Sequence, residues 1–290
     1  MESILAAVLP IVITALIGFV LQRLGRPVEG ETLRFIVVQV GTPALIFSAL
    51  LKTSLSGVML LNYAGAAMTA LVAFAIIGYG VLRMTGQSMR AFLPSMMFGN
   101  TGNLGLPLAL YACGPAGLGY AAVYHTVAAV GNFTLGQSIA LGSTNWRALA
   151  TNSSVIAAIL GLVCTVFHVT LPLWLHNSLE LVSGLAIPLM LLMLGTSLAT
   201  IQVTSLKRTV GLSALRVGMG IAVGFTLAWA FGFTGVPRAV LVLQCSTPVA
   251  VYNYLFALAS KTDPQGVASV VVVSTVIFVL TIPVLLAVLL

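Results

Sequence analysis

The chain alternates long apolar stretches with short polar loops, and this pattern predicts a helical membrane protein. About 20 consecutive apolar residues cross the hydrocarbon core of a bilayer as a helix. Ten stretches approach that length, and we number them as predicted spans one to ten. They are 3–22, 33–51, 58–82, 91–113, 118–141, 153–169, 179–199, 209–231, 238–260 and 267–290.

Two of these spans are interrupted by helix-breaking residues at corresponding places in the two halves of the chain. Span four contains Asn100-Thr101-Gly102-Asn103, and span nine contains Ser246-Thr247-Pro248. Lipid offers no partner for a freed backbone amide or carbonyl, so irregular backbone at mid-membrane is tolerated where it lines a cavity or packs within protein. Matching breaks in the two halves of a membrane chain indicate the binding site of a carrier.

The number of spans predicts an inverted repeat. Ten spans divide into five and five, and an odd number per half makes the second half cross the membrane in the opposite sense. We therefore predict one domain built from two repeats, residues 1–145 and 146–290. A weak echo supports this, since Pro43 in span two corresponds to Pro188 in span seven. The predicted fold class is an all-α integral membrane protein with ten transmembrane helices, in which helices four and nine are broken and cross.

Composition and charge agree with this fold and orient it. Hydrophobic residues make up 60% of the chain, charged residues 6%, and the mean hydropathy is +1.14. The formal charge of +7 arises from basic residues that gather after odd-numbered spans, as they do in cytoplasmic loops. On that side lie Arg23, Arg26, Arg34, Arg83, Arg90, Arg147, Lys207, Arg208 and Lys261, with Arg216 just inside span eight, whereas Lys52 and Arg238 lie opposite. We expect a multi-pass protein of a bacterial inner membrane, surrounded by lipid, with both termini extracytoplasmic and no nucleic-acid partner.

Several function classes find no support in the sequence. No Gly-x-x-x-x-Gly-Lys-Ser/Thr run occurs, so an ATP-driven pump would need a partner chain. No nucleophile, base and orienting acid can be assembled, so we expect neither an enzyme nor a cofactor. The cysteines have no metal-ligand spacing, which argues against a metal site and a disulfide framework. They are Cys113, Cys164 and Cys245.

Span four carries the first group of candidate binding residues. Asn100, Asn103 and Pro107 are three and four residues apart, so they share a face wherever the chain is helical. Pro107 cannot donate the backbone hydrogen bond of a continuous helix. The alternative interpretation is a kinked helix whose asparagines bond to neighbouring helices. We predict that Asn100, Thr101, Asn103, Gly105 and Pro107 bind substrate.

Span nine carries the second group of candidate binding residues, Ser246, Thr247, Pro248 and Asn253. A proline alone often marks no more than a kink, but this one is flanked by hydroxyls and matches the break in span four. If the two broken spans cross, two half-helix N-termini meet near mid-membrane, where their unpaired amides suit an anion. A carboxylate is the obvious ligand, because Gly, Asn, Ser and Thr bind it without a buried countercharge, whose desolvation is expensive.

The coupling ion is left open between proton and sodium. His125 in span five is a candidate proton relay, because a histidine changes its charge near physiological pH, although hydrogen-bonded packing is the competing role. Sodium can be held by unwound carbonyls with Ser, Thr and Asn oxygens. A cation antiporter is disfavoured, since it needs buried acids. All acids lie at or near predicted membrane edges: Glu2, Glu29, Glu31, Glu180 and Asp263.

The span-four motif resembles a known family. Its run Asn100-Thr101-Gly102-Asn103-Leu104-Gly105-Leu106-Pro107-Leu108 is similar to the Asn-Thr-x-x-x-Gly-x-Pro-Leu crossover pattern of the auxin efflux carriers, which include the plant PIN-type carriers. Stretches 42–47, 256–257 and 274–278 are also similar to family members. Asn253 departs from the pattern, since plant members tend to have a second proline there.

The resemblance implies a fold and a class of substrate. The ten-helix inverted-repeat fold with crossing broken helices is shared more distantly with bile-acid sodium symporters. Spans one, two, six and seven would form a scaffold, and the other spans would form a domain that moves like an elevator. The implied substrates are small organic anions, such as auxin-like acids, malate or malonate, and the resemblance allows a homodimer. Two alternatives stay open: a sodium-coupled symporter of a bile-acid-type amphipathic anion, and a transporter-like receptor that binds without flux.

Overall fold

The computed structural model describes residues 2–25, 30–52, 56–143, 146–167, 169–201 and 203–290. Across these ranges the chain is almost entirely helical, and the β-type pairing they contain is one isolated antiparallel bridge between Gly99 and Val249. Arg26 and Glu29, which entered the charge pattern, lie outside the described residues.

The N-terminal part of the chain runs through helices α1 to α8. They are Glu2–Arg23 (α1), Gly30–Phe35 (α2), Thr42–Leu51 (α3), Gly57–Met84 (α4), Met89–Met97 (α5), Leu106–Gly131 (α6), Gln137–Leu141 (α7) and Trp146–Ala150 (α8). Three π-helical stretches continue them. Ile36–Gly41 joins α2 to α3, Thr101–Gly105 leads into α6, and Asn132–Gly136 joins α6 to α7.

The C-terminal part of the chain runs through helices α9 to α14. They are Ser153–Val166 (α9), Leu173–Thr200 (α10), Leu206–Ala230 (α11), Gly235–Ser246 (α12), Val251–Ser260 (α13) and Pro264–Leu289 (α14). Capping residues set several starts. Asn152 accepts from the first amides of α9, and Asp263 accepts from Gly266 N of α14 at 2.9 Å.

The structure confirms an all-helical, multi-pass membrane protein. Seven stretches of the described chain are long and apolar enough to cross a bilayer: Ile4–Arg23, Glu31–Leu51, Gly57–Met84, Thr101–Leu141, Leu173–Thr200, Leu206–Ala230 and Pro264–Leu289. Predicted spans four and nine are shorter helices because each is broken, and α9 in span six has 14 residues. The 41-residue stretch turns sharply at Gly114, whose φ of 67° is a conformation that glycine adopts readily.

Large apolar side chains cover the outer faces of the long helices. Leu61 on α4, Leu181 on α10 and Leu280 on α14 each expose more than 70% of their surface. A soluble monomer rarely exposes such extended apolar surface, whereas lipid solvates it. The polar side chains at the two helix breaks are mostly buried inside the bundle, among them Asn100, Thr101, Thr247 and Asn253.

The closest helix pairs form two groups, which α6 connects through its contacts with α1, α3 and α9. In the first, α1 lies against α10, and α3 lies against both α9 and α10. In the second, α11 lies against α12 and α14, while α6 lies against α4 and α12. Small residues permit the close pairs: a Cβ atom built on Gly195 of α10 would overlap Ala15 O of α1.

Candidate functional site

The two broken helices end close to one another, and each is followed by extended backbone. Helix α5 ends at Met97 and α12 ends at Ser246. Residues 98–100 and 247–250 then leave the helical conformation before the chain turns into the next helix. These segments overlap the predicted breaks at Asn100 and at Thr247-Pro248, whereas Gly102 and Asn103 lie in the π-helical stretch that follows.

The extended segments pair with each other across the break. Asn100 N donates to Pro248 O at 2.6 Å, and Ala250 N donates to Phe98 O at 3.2 Å. The side chain of Asn253 adds a third bond, because its Nδ2 donates to Phe98 O at 3.0 Å. The two breaks thus supply each other with backbone partners, as any irregular chain within a membrane requires.

The hydroxyls of span nine complete the end of α12. Thr247 Oγ1 donates to Gln244 O at 2.7 Å, and Ser246 Oγ donates to Val242 O at 2.6 Å. In a continuous helix Gln244 O would accept from residue 248, but Pro248 has no N–H to donate. Thr247 Oγ1 therefore supplies a hydrogen bond that Pro248 cannot give, whereas Ser246 Oγ bonds to a carbonyl within α12.

We call the paired segments 98–100 and 247–250 the crossover, and a small cavity of about 70 Å³ lies beside it. Residues 101–103, which start the helix after the first break, and residues 250–252, at the start of α13, line it together. The first amides of a helix have no intrahelical partner, and the helix dipole makes this end partly positive. The positive ends of both half-helices therefore border one cavity, which has room for a few waters or one carboxylate group.

His125 forms part of the cavity wall. Its Nδ1 lies 2.8 Å from Thr101 Oγ1, so the ring and the hydroxyl share a hydrogen bond. Its ring packs on the backbone of Gly102, where a built Cβ would lie 2.9 Å from the His125 Cε1 atom. Glycine at this position lets the imidazole approach the first turn after the break.

The two asparagines of span four occupy different environments. Asn100 is 5% exposed, and its Nδ2 has no hydrogen-bond partner among the described residues. Asn103 is half-buried and lines both the small cavity and a larger neighbour. An unpaired buried amide is costly, so a ligand that accepts its hydrogen bond would relieve that cost.

The larger cavity has a volume of about 510 Å³. It meets the small one at Asn103, Val251 and Tyr252, which line both. Its walls combine one arginine with hydroxyl, amide and aliphatic groups, among them Arg34, Met193, Thr196, Ser197, Thr200, Ile201, Thr204, Tyr254, Leu255 and Gln265. The guanidinium of Arg34 lies over the Tyr252 ring, with Cζ 5.3 Å from the ring centroid.

Several predicted binding residues lie behind the cavity walls. Ser246, Thr247 and Pro248 are absent from the lining of both cavities, and Asn253 donates to Phe98 O in the paired segment instead. Gly105 packs against the Gln244 amide, since a Cβ there would overlap Gln244 Oε1. Pro107 is buried in the first turn of α6. The cavity itself brings together Asn100, Thr101, Asn103 and His125.

Arg216 was not among the predicted site residues, because the charge pattern places it just inside the membrane edge. It is the eleventh residue of the 25-residue helix α11 and is 1% exposed. Its Nη1 donates to Cys245 O at 2.9 Å, and its guanidinium carbon lies 4.7 Å from the centroid of the Phe74 ring. A rise of 1.5 Å per residue puts it about 15 Å from the helix start. Counting residues from the start of this helix could have shown from the sequence that Arg216 lies deep in the membrane.

Comparisons with known proteins identify the family of this chain. A family model described as a membrane transport protein matches residues 3–145 and 137–286. The chain belongs to this membrane transport protein family. It is the auxin efflux carrier-like family that the span-four motif resembles.

Two relatives carry the name uncharacterized transporter, and both come from archaea. The protein of Methanothermobacter thermautotrophicus is 26% identical over 293 residues, and that of Methanocaldococcus jannaschii is 24% identical over 297 residues. In both comparisons 95% of each chain is covered. The chain is therefore a membrane transporter and not an enzyme, as the sequence predicted.

Proposed function

We propose that this protein is a secondary carrier of small organic anions. The observation that carries the proposal is the small cavity, which is bordered by the first turns of both half-helices at 101–103 and 250–252. Two partly positive helix ends favour a negative group between them. None of the described residues that line either cavity is acidic, so nothing there opposes an anion.

The two cavities support a division of the substrate into a head and a body. The cavity of about 70 Å³ suits a carboxylate, and the neighbouring space of about 510 Å³ accepts the remainder of a small molecule. Asn103 and Tyr252 stand at the junction, where they can hold the substrate between the two. Mono- and dicarboxylates and auxin-like acids are the substrate class proposed.

The charge pattern supports a proposal for the side of the membrane to which the site opens. The large cavity reaches the exposed residues Arg34 and Thr200. Both lie at helix ends around which the basic residues gather. Basic loops favour the cytoplasm. We propose that both termini are extracytoplasmic and that the structure is the state open to the cytoplasm.

The packing supports an elevator-like mechanism for the ten-span fold. Helices α1, α3, α9 and α10 form one packed group, and the crossover belongs to the other. In the proposed mechanism the first group is the scaffold, the second carries the substrate, and the two repeats of five spans are inverted. The large cavity lies between them, since Thr196 of α10 and Tyr252 of α13 both line it.

Transport by purified protein in liposomes tests the proposal, together with a thermal-shift screen of mono- and dicarboxylates. We expect at least one carboxylate to stabilise the protein and to be taken up into liposomes. Stabilisation without uptake would favour a receptor. Uptake that requires sodium would favour the bile-acid type of symporter. If no acid stabilised the protein and none were taken up, the result would contradict an anion carrier.

A further inference from the structure

Arg216 brings a permanent positive charge into the centre of the bundle. A guanidinium stays protonated in proteins, and Arg216 is 1% exposed. Taking such a charge out of water costs several kcal/mol unless it is well paired. An ionisable residue inside a membrane protein is therefore a candidate functional residue.

The described residues give this charge no acidic partner. Its guanidinium donates to the Cys245 carbonyl and lies over the Phe74 ring, while its Nε has no hydrogen-bond partner among the described residues. The described acids are engaged or remote: Glu180 pairs with Lys52 and His176, Asp263 pairs with Arg208, and Glu31 lines a surface cleft beside Arg34. A net positive charge remains at Arg216 when the site is empty.

The break in span nine explains why the arginine bonds to Cys245. In a continuous helix Cys245 O would accept from the amide of residue 249, but Val249 N donates to Ser274 Oγ at 3.1 Å. Arg216 Nη1 takes the vacant place at 2.9 Å. The C-terminal end of α12 is partly negative, so the guanidinium occupies a position that suits a cation.

The guanidinium lies one backbone segment behind the small cavity. Gly99 separates them: it lines the cavity, and a Cβ built on it would overlap Arg216 Nη2 and Thr247 Oγ1. A charge acts over several ångströms in a protein interior, because screening there is weaker than in water. An anion in the cavity would therefore feel Arg216 without touching it.

We propose that Arg216 is the resident countercharge for the anionic substrate, acting across the Gly99 backbone, and that it takes the place of a bound cation at the crossover. The inference rests on the proposed anion transport. It replaces the expectation that a carboxylate is held without a buried countercharge. It also predicts that substrate binding does not require sodium, because the site already contains a cation.

Binding of a matched pair of probes tests the inference. Indole-3-acetate and its neutral amide, indole-3-acetamide, have nearly the same shape and differ in charge. We expect Arg216→Met to weaken binding of the acetate by roughly tenfold to hundredfold, as loss of a nearby charge at an effective dielectric constant of about 20 predicts. Binding of the amide should be unchanged, and Arg216→Lys should retain most of the affinity for the acetate.

Arg238→Met is the matched control, because Arg238 also stacks on an aromatic ring, that of Phe225, but does not line either cavity. Wild-type affinity of Arg216→Met for the acetate would overturn the inference. Equal losses for acetate and amide would do so as well, since they indicate a structural role. A sodium requirement for binding to the wild type, measured against N-methyl-D-glucamine, would also contradict it.

A second readout needs no substrate. Arg216→Ala leaves Cys245 O without its donor, so millimolar methylguanidinium should raise the melting temperature of this variant and not that of Arg238→Ala. If the wild type binds no carboxylate, the proposed transport fails, and this rescue alone decides whether the crossover holds a cation. Absence of rescue in a folded Arg216→Ala variant would then overturn the inference.

Discussion

At the scale of single residues, the polar side chains of the crossover divide into two kinds. Thr247 and Asn253 donate to backbone carbonyls at the breaks, and Ser246 donates to a carbonyl within α12. Asn103 faces the cavities instead. The sequence predicts which residue types accumulate at a break, because helix breakers and short polar side chains are recognisable. It does not predict where each side chain points, because that depends on the crossing segment from the other half of the chain.

The first residue-scale prediction concerns Asn103. Its amide lines both cavities, and loss of one hydrogen bond to a charged ligand costs on the order of 1.5 to 3 kcal/mol. We therefore expect Asn103→Ala to lose roughly tenfold to hundredfold in substrate affinity while its melting temperature stays unchanged. Titration calorimetry with the acid found by screening measures this. Val163→Ala on the outer face of α9 is the control, and wild-type affinity of Asn103→Ala would remove Asn103 from the site.

The second residue-scale prediction concerns His125. Its imidazole lines the small cavity and bonds to Thr101, so a change of charge on it is felt at the site. We expect His125→Gln, which keeps a hydrogen-bonding group, to abolish the pH dependence of uptake between about pH 5 and 8 while preserving binding. Uptake into liposomes across that range measures it. A purely structural His125 would instead give a lower melting temperature and an unaltered pH profile.

At the scale of helices, the breaks were predictable and the contacts between helices were not. Proline, glycine and asparagine mark the ends of α5 and α12, and Asp263 with Pro264 marks the start of α14. Which helices pack closely together depends on which glycines face a neighbouring helix. Gly184 and Gly195 lie on the same helix, α10, yet only the second is pressed against a neighbouring backbone. The sequence does not distinguish them, because both lie in an apolar stretch.

The contact between α1 and α10 gives a prediction for the packing. A methyl group at Gly195 would overlap Ala15 O, and backbone atoms cannot move aside cheaply. We expect Gly195→Ala to lower stability by about 1–3 kcal/mol, as overpacking does. Gly184→Ala, for which a Cβ would meet nothing within 4 Å, should melt like the wild type. Thermal unfolding of both variants in detergent measures this, and equal melting temperatures would contradict the close α1–α10 contact.

The break in span nine gives a second prediction for an element. Pro248→Ala restores an N–H that can bond to Gln244 O, which now accepts from Thr247, so the helix can continue and pull residues 249–250 away from Phe98. We expect transport to fall more than the melting temperature does. Pro283→Ala in the unbroken helix α14 is the control. Normal transport by a folded Pro248→Ala variant would reduce this break to a structural kink.

At the scale of the whole molecule, the distribution of charge indicates the orientation in the membrane, which the packing of the helices does not. Lys52 pairs with Glu180 at one end of the bundle, whereas Arg34 and Arg208 lie at the other with most of the basic residues. The sequence predicts this polarity because the excess of Lys and Arg in short loops is visible without a structure. It does not predict that the large cavity opens at the basic end, since its walls come from four distant parts of the chain.

The last prediction concerns the orientation of the protein in the membrane and the side from which the large cavity is accessible. Thr200 and Ser178 are exposed residues at opposite ends of α10, and Thr200 lines the large cavity. In inside-out vesicles, a membrane-impermeant thiol reagent should modify Thr200→Cys rapidly and Ser178→Cys slowly, and right-side-out cells should show the reverse.

Thr196→Cys, one turn deeper in the same cavity, should react from the cytoplasmic side and be protected by a bound acid. A variant in which Cys113, Cys164 and Cys245 are replaced measures the background labelling. Labelling of Thr200→Cys from outside would invert the membrane orientation. Unprotected labelling of Thr196→Cys in the presence of a bound acid would instead separate the cavity from the transport path, because a substrate that passes through it must cover this residue.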